Sequence, residues 1–258
     1  MKHLFVFFML IASTASAAIQ TEVVNYKDGN TDLEGYIAYD DKFTGPRPVV
    51  YIVHQWTGVS DYEQMRARMI AELGYVGFAI DVYGKGIRPT DPAERTRLSD
   101  FYKAGNRALF RQREMAALEY AKTDSRMDAS KAVAIGYCFG GTGALELARA
   151  GAAILGAVSF HGALTNPNPQ DVANMKMPTM VHHGAIDPFV PPTEVMAFIN
   201  EMNTAKVDYA FTSYANAVHS FTDKNAGNDP SKGAAYDEKA DKRSWSSLVA
   251  FLKEVFGE

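Results

Sequence analysis

The sequence predicts an α/β fold: a mainly parallel twisted sheet with helices on both faces, entered through an N-terminal antiparallel hairpin. Three features carry this reading. Short, continuous apolar and β-branched runs recur along the chain, as strands buried on both faces require. Between them lie longer stretches with the spacing of amphipathic helices, an alternation that builds crossover connections in parallel sheets. Near the N-terminus, Asp28-Gly29-Asn30 separates two strand-like pieces and reads as a tight hairpin turn.

The hairpin strands are expected at 20–26 and 32–40. A β-branched run at 49–53 leads into a helical stretch at 62–73, and the run at 76–80 precedes a helix at 106–121. The strand at 132–135 enters a helix at 141–150 through a glycine-rich turn. A strand at 154–160 follows, then one at 179–181 with its helix at 192–203. The series closes with a strand at 208–214 and a C-terminal helix at 239–256. No internal repeat, low-complexity block or long polar linker interrupts it, so one domain is expected over 18–258.

Composition bounds the function. With 258 residues and 47% hydrophobic side chains, the chain can bury a sizeable core. Its single cysteine, Cys138, excludes an internal disulfide and any zinc or iron–sulfur site built from several cysteines. Basic residues number 26 against 30 acidic ones with no basic block, so neither a nucleic-acid partner nor a polybasic membrane patch is expected. A small-molecule substrate is the expected partner, and a monomer is favoured.

Lys2 and His3 precede an apolar run at 4–12 and the small residues Ala15-Ser16-Ala17, the pattern of a secretory leader over 1–17 cleaved after Ala17. The run is too short to span a bilayer, so no stable membrane insertion is expected once it is removed. No cysteine lies at the cleavage point to take a lipid anchor. The mature protein is therefore expected to be exported, periplasmic or secreted, carrying an unpaired thiol into an oxidising compartment.

In such sheets ligands bind beyond the carboxyl ends of the strands. The residues expected there are His54-Gln55-Trp56, Asp81, Cys138, His161, Asp187 and His219. The segment Gly136-Tyr137-Cys138-Phe139-Gly140-Gly141 joins strand to helix as a nucleophile elbow with sulfur in place of the usual hydroxyl. The glycines at i−2 and i+2 relieve crowding where strand and helix approach, and the helix N-terminus at Cys138 favours a thiolate. A small buried hydrophobe in a glycine-rich turn is the bland alternative. A nucleophile needs a base and the base an orienting acid; Asp187 and His219 follow in the chain order nucleophile, acid, base, each after a strand. Taken alone, Asp187 is also compatible with a turn or capping acid and His219 with a loop histidine.

Together with His183-Gly184-Ala185-Ile186-Asp187-Pro188-Phe189-Val190-Pro191, His219-Ser220-Phe221 and Val53-His54-Gln55-Trp56-Thr57-Gly58-Val59, the elbow resembles the dienelactone hydrolase family of the α/β-hydrolase superfamily across essentially the whole chain after the leader. The resemblance implies a carboxylic ester hydrolase with Cys138 as nucleophile, His219 as base and Asp187 as its partner. It also implies an oxyanion hole from the backbone N–H groups of Phe139 and Trp56. Two departures stand out. The family's activating glutamate is replaced by Gln55, which cannot accept a proton; a hydrogen bond from its amide to the thiol or the substrate is expected in preference to a passive structural role. The arginine beyond the base that binds the dienelactone carboxylate is replaced by Thr222-Asp223, which argues against that substrate.

Other polar residues carry less. His54 and His161 are expected as polar walls of the pocket, and Asp81 as an acceptor for neighbouring loops. His182-His183 face opposite ways on a strand with no further ligand cluster, so no metal and no cofactor are expected. The stretch 84–113, rich in Arg and Lys, is either a solvated amphipathic face or a cap over the site. The reaction expected is ester or lactone hydrolysis through a Cys138 thioester. The rival is a non-catalytic exported protein of the same fold, using its thiol as a redox or cross-linking handle. Acyl transfer to an acceptor other than water would use the same residues.

Overall fold

The computed structural model of the protein describes residues 18–257, so the leader expected at 1–17 lies outside the described residues. Among the described residues eight strands form one sheet: β1 (Ile19–Asp28), β2 (Thr31–Asp40), β3 (Arg47–Val53), β4 (Val76–Ile80), β5 (Met127–Tyr137), β6 (Gly156–Phe160), β7 (Thr179–Gly184) and β8 (Tyr209–Tyr214). Their order is β1-β2-β4-β3-β5-β6-β7-β8, and only β2 runs against the rest. The predicted α/β class and N-terminal hairpin are both present.

Period-two alternation along β3 explains the two-sided cover. Val49, Tyr51 and Val53 face α3 (Arg107–Ala121), α4 (Phe139–Arg149) and α5 (Pro192–Ala205), where Phe110, Leu145 and Phe198 close the core. Val50 and Ile52 face the opposite way, onto α1 (Asp61–Glu72) and α6 (Glu238–Phe256), meeting Ile70, Leu248 and Leu252. Caps fix where these helices start. Ser60 and Glu63 form a reciprocal capping box on α1, and Asp237 accepts the Ala240 N–H on α6.

The observed α4 begins two residues before its expected start, directly after Cys138. The stretch 84–113 folds into α2 (Pro92–Asp100), started by Asp91 as N-cap with Pro92 behind it, followed by a π turn at Phe101–Gly105 and the first turns of α3. This short helix was not read from the sequence because it has almost no apolar stripe: Ser99 is its one buried residue.

Candidate active site

β5 ends at Tyr137 and α4 begins at Phe139, which leaves Cys138 alone on the turn between them. Its backbone lies at φ 56°, ψ −117°, a conformation that L residues rarely adopt. The flanking glycines are required by space. A Cβ on Gly136 would sit 1.8 Å from the Gly140 carbonyl oxygen, and one on Gly140 would sit 2.0 Å from that of Val53. No side chain caps α4; the Phe139 N–H at its start hydrogen-bonds the Cys138 sulfur.

Asp187 lies in the turn after β7 and is buried. Its Oδ1 accepts the Phe189 N–H at 2.8 Å, and its Oδ2 is 2.8 Å from Nδ1 of His219. The loop after β8 holds His219 through main-chain bonds, its N–H donating to Gly233 O at 3.2 Å and its carbonyl accepting from Ala235 N–H at 3.0 Å. Through its remaining ring nitrogen the imidazole hydrogen-bonds the thiol of Cys138. Three residues far apart in sequence are thereby joined in one hydrogen-bonded line, Cys138 to His219 to Asp187.

The electrostatics of this line favour an ion pair. Burial alone would raise the Cys138 thiol, but the facing His219, its hydrogen bond, the Lys103 ammonium and the Phe139 N–H together bring it below its ordinary value. Burial alone would likewise depress His219, yet the Cys138 thiolate and Asp187 push it up to about 10. Each partner's charge stabilises the other's, so the two titrate as a thiolate–imidazolium pair.

Cys138 and His219 open onto a cavity of about 580 Å³ whose walls include Trp56, Thr96, Lys103, Phe189 and Lys232. A larger groove of about 1020 Å³ runs along α5 and contains none of the three joined residues. Trp56 belongs to the loop after β3, which the buried Glu63 carboxylate ties down. Its Oε1 accepts the Gln55 N–H at 3.0 Å, and its Oε2 accepts the Ser60 N–H and hydroxyl at 2.8 and 2.6 Å. Burial raises the Glu63 pKa, a tendency these donors oppose. Phe139 and Trp56, on the two loops expected to supply oxyanion donors, thus line the same cavity as Cys138.

The Gln55 amide is turned elsewhere than expected. Its Nε2 donates to Asp223 Oδ2 at 3.1 Å, and the residue is not part of the cavity wall. A carboxylate oxygen is a better acceptor than sulfur, and the two departures from the family pattern meet each other. His54 and His161 are also not wall residues. His54 accepts the Val82 N–H through Nε2 inside the core, and His161 lies behind Cys138, accepting the Cys138 N–H through Nδ1 at 3.1 Å. Asp81 anchors loops as expected, accepting from the N–H groups of Glu34, Tyr83 and Gly84.

The 84–113 stretch walls the cavity, but its arginines do not enter. Arg107 and Arg111 pair with Glu146, while Arg95 stacks over the Trp56 ring at 5.8 Å. The inward cation is Lys103, and a second, Lys232, reaches in from the loop beyond His219. Neither was singled out in the sequence, because a lysine in a charged stretch carries no spacing signal; only the fold turns it inward. Among the described residues no group of three or more His, Cys, Asp or Glu is placed to hold a metal ion.

Comparison with known proteins agrees with this architecture. The family model described as the dienelactone hydrolase family matches residues 33–256. A solved structure described as a dienelactone hydrolase-like promiscuous phosphotriesterase from metagenomic libraries superimposes with a TM-score of 0.87 at 37% identity, covering 92% of this chain and 99% of that one. A Caenorhabditis elegans protein, K02A2.1, is 38% identical over 144 residues, 55% of this chain and 90% of its own length. A Yersinia pestis protein named "Putative carboxymethylenebutenolidase" is 26% identical over 86% of this chain and 84% of its own. The chain belongs to the dienelactone hydrolase family, a family of carboxylic ester hydrolases.

Proposed function

We propose that the protein hydrolyses a carboxylic ester or lactone through an acyl-enzyme on Cys138. The thiolate attacks the carbonyl carbon, and the oxyanion is held by the N–H groups of Phe139 and Trp56. Collapse of the tetrahedral species expels the alkoxide, which takes the proton from His219. The imidazole then removes a proton from water, which hydrolyses the thioester, while Asp187 holds its tautomer. Esters and lactones are favoured over amides because an amine leaves less readily than the thiolate can be expelled back.

The observation that supports this reading best is the hydrogen-bonded line from Cys138 through His219 to Asp187 at the floor of a substrate-sized cavity. With Gln55 bonded to Asp223, thiolate formation falls to His219 and the α4 N-terminus. The names of relatives point the same way: carboxymethylenebutenolidase and lactonase are both hydrolases of cyclic esters. Purified protein is expected to cleave short activated aryl esters, and Cys138→Ala or His219→Ala is expected to abolish this. Unchanged turnover in either variant overturns the proposal.

We further propose that residues 1–17 form a cleaved export leader and that the remainder folds as one domain. N-terminal sequencing of protein recovered outside the cytoplasm is expected to begin at Ala18; an intact N-terminus there overturns the leader.

A further inference from the structure

Behind the nucleophile lies a buried imidazole with two engaged nitrogens. His161, 1% exposed and at φ 41°, follows the last residue of β6. The Cys138 N–H is shared between the Phe160 carbonyl at 3.0 Å and Nδ1 of His161 at 3.1 Å. A main-chain N–H can only donate, so Nδ1 is unprotonated and the ring proton sits on Nε2. Nε2 is 2.8 Å from Thr222 Oγ1, to which it therefore donates.

Thr222 is itself fixed. Its hydroxyl is 2.7 Å from that of Tyr62 on α1, and its carbonyl accepts from Arg66 Nη2 at 2.9 Å. Arg66 also donates to the Tyr62 hydroxyl at 3.2 Å and to Asp241 of α6 at 2.8 Å. Thr222 stands three residues beyond His219 on the same loop. One imidazole consequently bridges the turn that carries the thiol and the loop that carries the imidazole facing it, while its ring lies edge-on to His219 at 5.1 Å. Burial, then the neighbouring His219 and Arg66 charges, keep His161 neutral, the form this bridge requires.

We propose that His161 is a positioning residue that sets the register between the Cys138 turn and the His219 loop. Its effect on turnover rests on the acyl-enzyme reading above, whereas its effect on the thiol does not. The test compares His161→Phe, which keeps a ring and loses both bonds, with His161→Asn, which retains an acceptor and a donor and tolerates positive φ. Aryl ester kinetics and iodoacetamide labelling of Cys138 against pH are the two readouts.

In His161→Phe, kcat is expected to fall about 10²-fold with KM little changed, the size of loss a misplacement of about 1 Å produces. The labelling midpoint is expected to rise towards the ordinary thiol value of about 8.5. His161→Asn is expected to recover most of both. Should His161→Phe fail to fold, Thr222→Val cuts the bridge at its other end and is expected to shift the midpoint in the same direction. Wild-type kcat and midpoint in the folded variants, or equal damage in His161→Phe and His161→Asn, overturns the proposal. A midpoint shift in a protein that cleaves no ester leaves the bridge standing and removes the ester reading.

Discussion

At the residue scale, the proposed chemistry turns on the charge held between Cys138 and His219. The thiol is lowered and the imidazole raised to about 10, which favours an ion pair between them. As pH falls and the thiol is protonated, the attack proposed for it is lost. As pH rises past about 10, His219 loses the proton that the proposed mechanism has it give the leaving alkoxide. A profile of kcat/KM against pH is expected to show a broad plateau limited on both sides; a rise only above the ordinary thiol range of about 8.5 would contradict the pairing. Asp187→Asn removes the carboxylate that raises His219, so the alkaline limb of that profile is expected to move down. By analogy with triads in general, kcat should drop by about 10²- to 10⁴-fold. Lys103→Met should also raise the Cys138 labelling midpoint, because its ammonium helps to hold the thiolate. The residues in the central line were legible in sequence because glycine spacing and chain order mark them. The direction of the Gln55 amide was not, because its partner Asp223 lies 168 residues away and only the folded loops bring them together.

Elements place these groups by close approach and by buried anchors. The turn from β5 to α4 exists only because Gly136 and Gly140 leave room for opposing carbonyls, and both atoms in the way are backbone that cannot swing aside. Gly136→Ala is therefore expected to cost at least about 3 kcal/mol, the upper end of ordinary overpacking, read as a lowered urea midpoint. A midpoint within error of wild type would show that the turn can relax. The loop after β3 depends instead on the Glu63 carboxylate, which accepts three hydrogen bonds in a buried setting. Glu63→Gln keeps the shape but faces those donors with an NH₂ group, so ester turnover is expected to fall while the Cys138 labelling midpoint stays put. That split separates an effect on the Trp56 loop from one on the thiol. Strand positions were readable because buried parallel strands are uniformly apolar, as in β4. α2 was hidden because it lies on the cavity rim with a polar sequence, and the cavity wall it supplies was visible only as one of two alternatives.

At the scale of the whole molecule, the sheet order brings the ends of β3, β5, β6, β7 and β8 to one edge, so loops from across the sequence converge on one cavity. Below that edge a buried ionic network stiffens the α3–α4–α5 side: Arg149 bonds Glu146, Glu201 and the carbonyls of Leu164 and Thr165, while Arg107 and Arg111 share Glu146. Arg149→Met leaves Glu146 and those carbonyls short of a donor and is expected to destabilise the fold by about 3–5 kcal/mol, read by denaturant unfolding. The same architecture accounts for why a family resemblance covered the whole chain although substrate preference did not follow from it: the sheet and the elbow are set by periodicity and glycines, whereas the cations in the cavity are supplied by loops. The central claim is that acyl transfer passes through sulfur, and rapid quenching of the protein with an activated aryl ester followed by intact mass measurement tests it most directly. One acyl group on Cys138, released by hydroxylamine and absent from Cys138→Ala, is the predicted result; steady turnover with no adduct, undiminished in Cys138→Ala, would contradict it.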